Sequence, residues 1–443
     1  MTTFRIRLAT LALVSAPALA AAQQVSAGDG GARPISLAEA VQLAKLNSPI
    51  SATARNQLRV GKLAEMNALG QYLPNIRVGA SAGNSSGASF FQGQFVPYQG
   101  NPWNYGRQYG GSILLFDGGQ RYYSYRATQA NQRANEETET TQNYVVTTNV
   151  KTQYYQVLLA HELEAAGASA LQAAEAAHLI SSSKVRIGAL PRSDSLKTAV
   201  TIGTARLAIL NAQAQVRDAN AALTRLVASN VPVTAILADT ADVPRIDVDD
   251  ASLFRMAEDG PGVRQARAIY EAAKQNHRAT VTSQLIPQVS ANYTYSTGNS
   301  SPNFNWGGGP AQSKNTNYGF SVGYNIFNGF ARELQTMQAT VAEDNAEIAL
   351  RDARLLAHSQ LAQLIDQYRL AAQTIELQQL QIAAGSEDLA VTQARYAVGQ
   401  NSLVDLLTSQ TALDQQRSLL VNARYTARTA KAAIEAFIGR DLK

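Results

Sequence analysis

The 443-residue chain contains no cysteine. Disulfides, thiolate metal sites, a cysteine nucleophile and a lipid anchor on an N-terminal cysteine are thereby excluded. Histidine is nearly as scarce. His161, His178, His277 and His358 stand far apart, so composition points away from metal and acid–base chemistry, and no cofactor is implied. Charged residues make up only 16% of the chain, and 38 basic against 33 acidic side chains leave a weak excess of +5. That balance argues against the concentrated basic patch that binds nucleic acid. Beyond the first two dozen residues there is no apolar run of the ~20 residues that a membrane helix needs. A membrane location would require another route. Proline is missing from two long stretches, Tyr122–Ile187 and Ala331–Val398, whose only glycines are Gly167 and Gly385. Each stretch, about 66 residues, would reach ~100 Å as one helix, more than a compact globule of this mass would offer in one direction.

The N-terminus is built like an export signal. Arg5 and Arg7 precede the apolar run Leu8–Ala22, which ends in the small-residue sites Ala18-Leu19-Ala20 and Ala20-Ala21-Ala22. Residues 1–22 are therefore expected to be a signal peptide and residues 23–34 a flexible leader. Gly28–Gly31 belongs to that leader rather than to a phosphate loop, because no strand precedes it and no lysine follows. His161-Glu162-Leu163-Glu164 lacks the second histidine of a zinc-binding H-E-x-x-H motif and reads as a solvated helix face.

An internal repeat organises the rest. Phe116-Asp117-Gly118-Gly119 recurs as Phe327-Asn328-Gly329-Phe330, and at the same shift of 211 Gly188 meets Gly399, Asp194 meets Asp405 and Leu196 meets Leu407. Two copies, 35–230 and 251–439, are joined by a linker at 231–250. Each opens with a helical stretch (Ser36–Gln71, with a Ser36/Glu39 capping-box pattern, and Ser252–Gln284). Two extended segments follow, and then a long helical hairpin. Heptad lines run through Val200, Leu207, Ala214, Ala221 and Ala228 in the first copy and Leu406, Leu413, Leu420, Ala427 and Ile434 in the second. Both predict coiled-coil seams rich in alanine.

The extended segments alternate with period two. Val289, Ala291, Tyr293 and Tyr295 interleave with Gln288, Ser290, Asn292 and Thr294; Tyr318, Phe320, Val322, Tyr324 and Ile326 with Gly319, Ser321, Gly323 and Asn325. Strands are expected at about 73–82, 108–116, 286–296 and 317–327, the length of a tilted membrane-spanning strand. Trp103 and Trp306 are placed in the connecting loops. The competing reading is two soluble hairpins packed on helices. A lipid-facing sheet must close, and four strands are too few for a barrel, the smallest using about eight. Several chains would then pool strands, two giving 8 and three giving 12.

These residues resemble the TolC-type channel-tunnels of the outer membrane efflux protein family. The most specific matches are Leu37-x-x-Ala40…Asn47-Ser48-Pro49, the two Phe-Asp/Asn-Gly junctions, and the turns Arg186–Asp194 and Tyr396–Asp405. The resemblance covers Ser36 to Gly439. It implies an α+β membrane protein in which three protomers form one 12-stranded β-barrel and a coiled-coil helical tunnel crossing the periplasm. It further implies a homotrimer in outer-membrane lipid, recruited by a periplasmic adaptor (membrane fusion) protein and an inner-membrane RND or ABC transporter, with no enzymatic step. Cargo, whether small-molecule drugs or type I secreted proteins, stays open. The alternative is a periplasmic coiled-coil scaffold without a pore. On the resemblance, Asp194, Tyr396, Asn401 and Asp405 fall at the periplasmic gate. Arg186, Gly188, Ala189, Leu190, Gly399, Gln400 and Ser402 form the turns that meet the adaptor. Asp194 and Asp405 have a second reading, as acids favoured at a helix N-terminus. The chain departs from the family pattern at Asn401, where the best-known member has an arginine that bonds across the closed gate, and at Thr408, where a second acid is missing. A less acidic, differently wired tip is expected, with Arg192 as an available cation.

Overall fold

The computed structural model describes residues 32–84, 88–91, 93–97, 103–237, 246, 248–305 and 309–442. The expected signal peptide and most of the leader lie outside them. In chain order the elements are β1 (Arg33–Ile35), α1 (Leu37–Asn47), α2 (Pro49–Gly70), β2 (Asn75–Asn84), β3 (Ala88–Phe91), β4 (Gln94–Pro97), β5 (Trp103–Phe116), α3 (Gln120–Arg186) and α4 (Arg192–Val227). The second half supplies β6 (Val233–Ala235), α5 (Asp250–Glu258), α6 (Pro261–Leu285), β7 (Gln288–Ser301), β8 (Ser313–Gly323), α7 (Ala331–Ala397) and α8 (Leu403–Ile438).

The two proline-free stretches are α3 and α7, 67 residues each, returned by α4 and α8, 36 residues each. None of the helices described is apolar enough to cross a membrane. The opening helix of the first copy is two helices. Pro49 has no N–H to continue α1 and holds Ser48 extended (φ −58°, ψ 133°). At its start Ser36 Oγ accepts from the Glu39 amide at 3.2 Å, but the Glu39 carboxylate turns instead to Arg33 Nη2 at 2.6 Å. The expected capping box is therefore half made, because a cation competes for the acid.

The main sheet is antiparallel in the order β2-β5-β7-β8. Residues directly opposite share a face. Ile76↔Gly111↔Tyr293↔Tyr318 and Val78↔Tyr109↔Tyr295↔Thr316 are two such rows. One face thus collects Ile76, Val78, Tyr109, Ile113, Tyr293, Phe320 and Val322. The opposite face carries Asn75, Ser112, Asn292, Ser290 and Ser321, the last two joined by a 2.7 Å hydroxyl pair. The apolar face is bare: Ile76 is 78% exposed and Tyr318 79%. The outer edges of β2 and β8 pair with nothing among the described residues.

Strand limits differ from the sequence expectation. β5 begins at Trp103, not 108, so Trp103 lies in the strand with its ring 4.8 Å from Phe304. β8 ends at Gly323, not 327, because the chain must leave the ladder for the Gly329 turn into α7. The first connecting loop contains its own hairpin, β3–β4. Trp306 lies outside the described residues.

The leader and linker are also more ordered than expected where they meet. β1 and β6 pair in parallel, Ile35 opposite Ala235. Tyr154 of α3, fully buried, donates its hydroxyl to Ile35 O (3.1 Å) and accepts from the Ile236 amide (3.1 Å). Around this clasp Ile35, Val150, Tyr154, Val157, Leu223, Val227 and Val233 form a core between α1, α3 and α4. A second core joins α5 to α7 and α8 through Leu253, Leu361, Ile365, Ile434 and Ile438.

Only one heptad line packs as expected. On α8, Leu406, Leu413, Ala427 and Ile434 are buried. On α4, Val200 and Leu207 are 67% and 61% exposed, and the buried stripe is Thr198, Ala212, Val216, Leu223 and Val227. Small residues recur at heptad spacing on more than one face of α4, and the branched residues of the other face fill the contact with α3.

Candidate functional site

The two return turns are built alike at their first half. α3 and α7 each end in a Schellman motif: Gly188 (φ 75°) donates to Val185 O and Ala189 to Lys184 O, while Gly399 (φ 82°) donates to Tyr396 O and Gln400 to Arg395 O. Glycine is needed because a side chain is strained at positive φ. The second halves differ. α8 begins with a complete capping box: Ser402 Oγ accepts from the Asp405 amide (3.2 Å) and the Asp405 carboxylate accepts from the Ser402 amide (3.0 Å) and hydroxyl (2.8 Å). α4 begins at Pro191, which has no side-chain acceptor to offer. Asp194 occupies the same place as Asp405, but its carboxylate receives a longer bond from Ser193 Oγ (3.4 Å) and stands 3.9 Å from Lys197 Nζ.

The two turns meet within one chain. Leu190 packs on Tyr396, Leu403 and Leu406. Lys184, in the last turn of α3, donates to the carbonyls of Tyr396 (2.7 Å) and Ala397 (3.0 Å) and lies 4.7 Å from the Tyr396 ring centre. It thereby caps the C-terminus of α7, where a cation is favoured. Tyr396 is buried. Burial pushes its phenol above the usual tyrosine range, with the Ser181 hydroxyl opposing and the Asp194 charge adding to the shift. Neither the Tyr396 nor the Ser181 hydroxyl completes a hydrogen bond of ordinary geometry among the described residues.

Tyr396 and Asp194 are therefore brought together, whereas Asp405 is occupied by its own helix start. Asn401 is partly buried beside the box, and Arg186 and Arg192 are exposed. Among the described residues Arg186 donates to Ser183 Oγ, at 3.5 Å. Sequence reasoning missed Lys184. A lysine in the last turn before a C′ glycine is a legible signal, but its partner on the other hairpin is not.

The opposite ends of the long helices are also fastened. The buried Asp117 accepts from the Gly119 amide (3.1 Å), the Arg121 amide (3.0 Å) and Arg121 Nε (2.7 Å). Burial works against its charge, yet these bonds outweigh it and hold the carboxyl below the usual carboxylate range. Asn328 does the neutral equivalent, accepting from the Arg332 amide at 3.3 Å. No group of residues suited to a metal ion occurs among the described residues.

Residues 41–229 and 255–440 match the model of a family described as outer membrane efflux protein. No curated protein matches the chain in sequence at a significant level. Solved structures do match its shape. CusC is 17% identical with a TM-score of 0.77, covering 94% of this chain and 96% of that one. VceC of Vibrio cholerae is 16% identical with a TM-score of 0.76, over 92% and 97%. The Campylobacter jejuni outer membrane channel CmeC is 16% identical with a TM-score of 0.76, over 92% and 86%. At such identities the likeness establishes the fold.

Proposed function

Because the chain belongs to the outer membrane efflux protein family, a family of transport channels rather than enzymes, we propose that it works as the exit duct of a three-part export system. Three protomers pool their strands into one 12-stranded barrel, and the α3–α4 and α7–α8 hairpins continue as a helical tunnel into the periplasm. The observation that carries this reading is the four-stranded sheet, with one apolar face bare and both outer edges unpaired among the described residues. Such a sheet is stable in lipid only when closed by others like it.

The loops that join β2 to β5 and β7 to β8 face outside the cell, and the return turns lie at the periplasmic end. There Asp194, Tyr396, Asn401 and Asp405 form the gate, and Arg186–Leu190 with Gly399–Ser402 meet the adaptor. Cargo is selected by the inner-membrane pump, of RND or ABC type, because the duct itself presents a polar wall. Drugs and unfolded secreted proteins are both compatible with such a wall. Purified protein should migrate as a heat-modifiable trimer from the outer-membrane fraction and conduct ions in planar bilayers. A soluble periplasmic monomer without conductance would favour a coiled-coil scaffold instead.

A further inference from the structure

The sheet and its loops are electrically one-sided. From Pro74 to Phe116 and from Pro287 to Asn328 there is no aspartate or glutamate, and the only charged side chains are Arg77, Arg107 and Lys314. Register sorts these three by face. Arg77 pairs with Gly110, on the polar face. Arg107 is opposite Thr297, and Thr297 is opposite Lys314, so both cations share one row of the apolar face. Two strand spacings separate them, ~10 Å between backbones, a gap that two long side chains can close around one group. Both are exposed.

The depth of this row is informative. It lies eight residues along β7 from Val289, the lowest apolar row. That is ~26 Å of strand, or ~20 Å of height after a tilt of about 40°. The cations therefore stand at the edge of the apolar band farthest from the helices. Aromatic rings bracket them: Tyr109 and Tyr295 below, with centroids 6.2 Å apart, and Tyr105 and Phe304 above, at 6.3 Å. Rings at such a boundary mark the level of lipid headgroups.

We propose that Arg107 and Lys314, with the Thr297 hydroxyl between them, bind the phosphate groups of an outer-leaflet glycolipid. The inference rests on the barrel and orientation proposed above. Guanidinium and ammonium groups on a lipid-facing surface at headgroup depth, in segments whose sequence holds no acid, call for an anionic headgroup, and phosphate satisfies both by charge-assisted bonds. Closing a trimer would repeat the site three times around the rim.

The test uses full-length protein in phosphatidylethanolamine vesicles doped with lipid A carrying its phosphates, lipid A stripped of them, or phosphatidylglycerol. Lipid retained after extraction is counted by mass spectrometry. Wild-type protein should retain phosphorylated lipid A over both alternatives. The Arg107→Gln/Lys314→Gln variant should lose that preference, by about fivefold per cation removed, whereas Arg77→Gln should keep it. Equal retention of stripped lipid A or phosphatidylglycerol by wild type, or an undiminished preference in the double variant, overturns the proposal. Conductance of the same preparations reads the pore separately. A conducting trimer without lipid preference sinks the lipid surface alone, and failure of wild type to conduct removes the exit-duct reading and this inference with it.

Discussion

The two helical hairpins have the same lengths and the same glycine-ended turns, yet they are stabilised differently. The α7–α8 hairpin buries its heptad line and starts its return helix with a full capping box. The α3–α4 hairpin starts its return helix at a proline and leaves Val200 and Leu207 uncovered. The return helix α8 is the better covered of the two, although α7 leaves Leu355, Leu370 and Leu380 exposed. The line through Val200 on α4 is bare, as a surface would be that another protomer covers in the assembly proposed above. Similar lengths and similar turns can therefore serve unequal roles, and the inequality is written in which stripe is apolar.

The largest effect should come from the buried seam. Leu413→Ala on α8 removes a side chain 2% exposed and should cost 2–5 kcal/mol, roughly the range for core leucines. Leu207→Ala on α4 should change the stability of a dissociated chain by less than about 0.5 kcal/mol. Yet it should lower the temperature at which trimers dissociate. Heat-modifiable migration and denaturant unfolding followed by circular dichroism separate the two. Equal effects of both substitutions on unfolding and assembly would erase the distinction.

Next in size is the cap. Ser402→Ala should cost about 1 kcal/mol and speed amide exchange at the start of α8. Pro191→Ser should act in the opposite direction at α4, because Asp194 already occupies the position that completes a box. Hydrogen exchange at Ser193 and Asp194 reports it, and faster exchange in that variant would show that the box cannot form there.

The two carboxylates proposed for the gate should show a smaller effect, read as selectivity. Asp194→Ala with Asp405→Ala should reduce cation preference in single-channel recordings while leaving trimers intact. Asp194→Ala alone should account for most of the change, since Asp405 is held by Ser402. Asn401→Arg should lower open probability. Unaltered selectivity in the double variant would leave both acids as helix-start residues only.

The smallest effect concerns the junctions at the other end. The pKa of Asp117 in the folded chain is lowered, so its contribution is complete above the ordinary carboxylate value of 3.8 and fades as pH falls through the lowered one. Asp117→Asn copies the second-half residue Asn328 and should flatten acid sensitivity in that window, as followed by fluorescence of the nearby tyrosines.

Much of this was legible in the sequence because it depends on local rules. Missing prolines marked α3 and α7, period two marked β7 and β8, and the repeat placed matching turns at Gly188 and Gly399. What was not legible depends on partners distant in sequence. Glu39 would complete a box if Arg33 were elsewhere. The line through Val200 has the right period but the wrong face, because alanine spacing does not say which side α3 covers. Lys184 serves a helix more than 200 residues later, and the β1–β6 pair joins segments equally remote. Asp194 and Asp405 fall at the start of the return helices as expected, but the difference between them is set by what precedes each, proline or serine.

The β1–β6 clasp also constrains the order of assembly. Ile35 is among the first residues of the described chain to find its place, but its strand partner is Ala235. Closing so long a loop costs only ~0.6 kcal/mol more per doubling of its length, while contacts of high sequence separation form slowly. The N-terminal strand should therefore dock late, after α3 and α4 have paired and presented Tyr154. A chain cut before Val233 would keep the bond from the Tyr154 hydroxyl to the Ile35 carbonyl but lose the Ile236 amide that donates to the same hydroxyl and the strand that pairs with β1, so the first copy needs the start of the linker to finish its core.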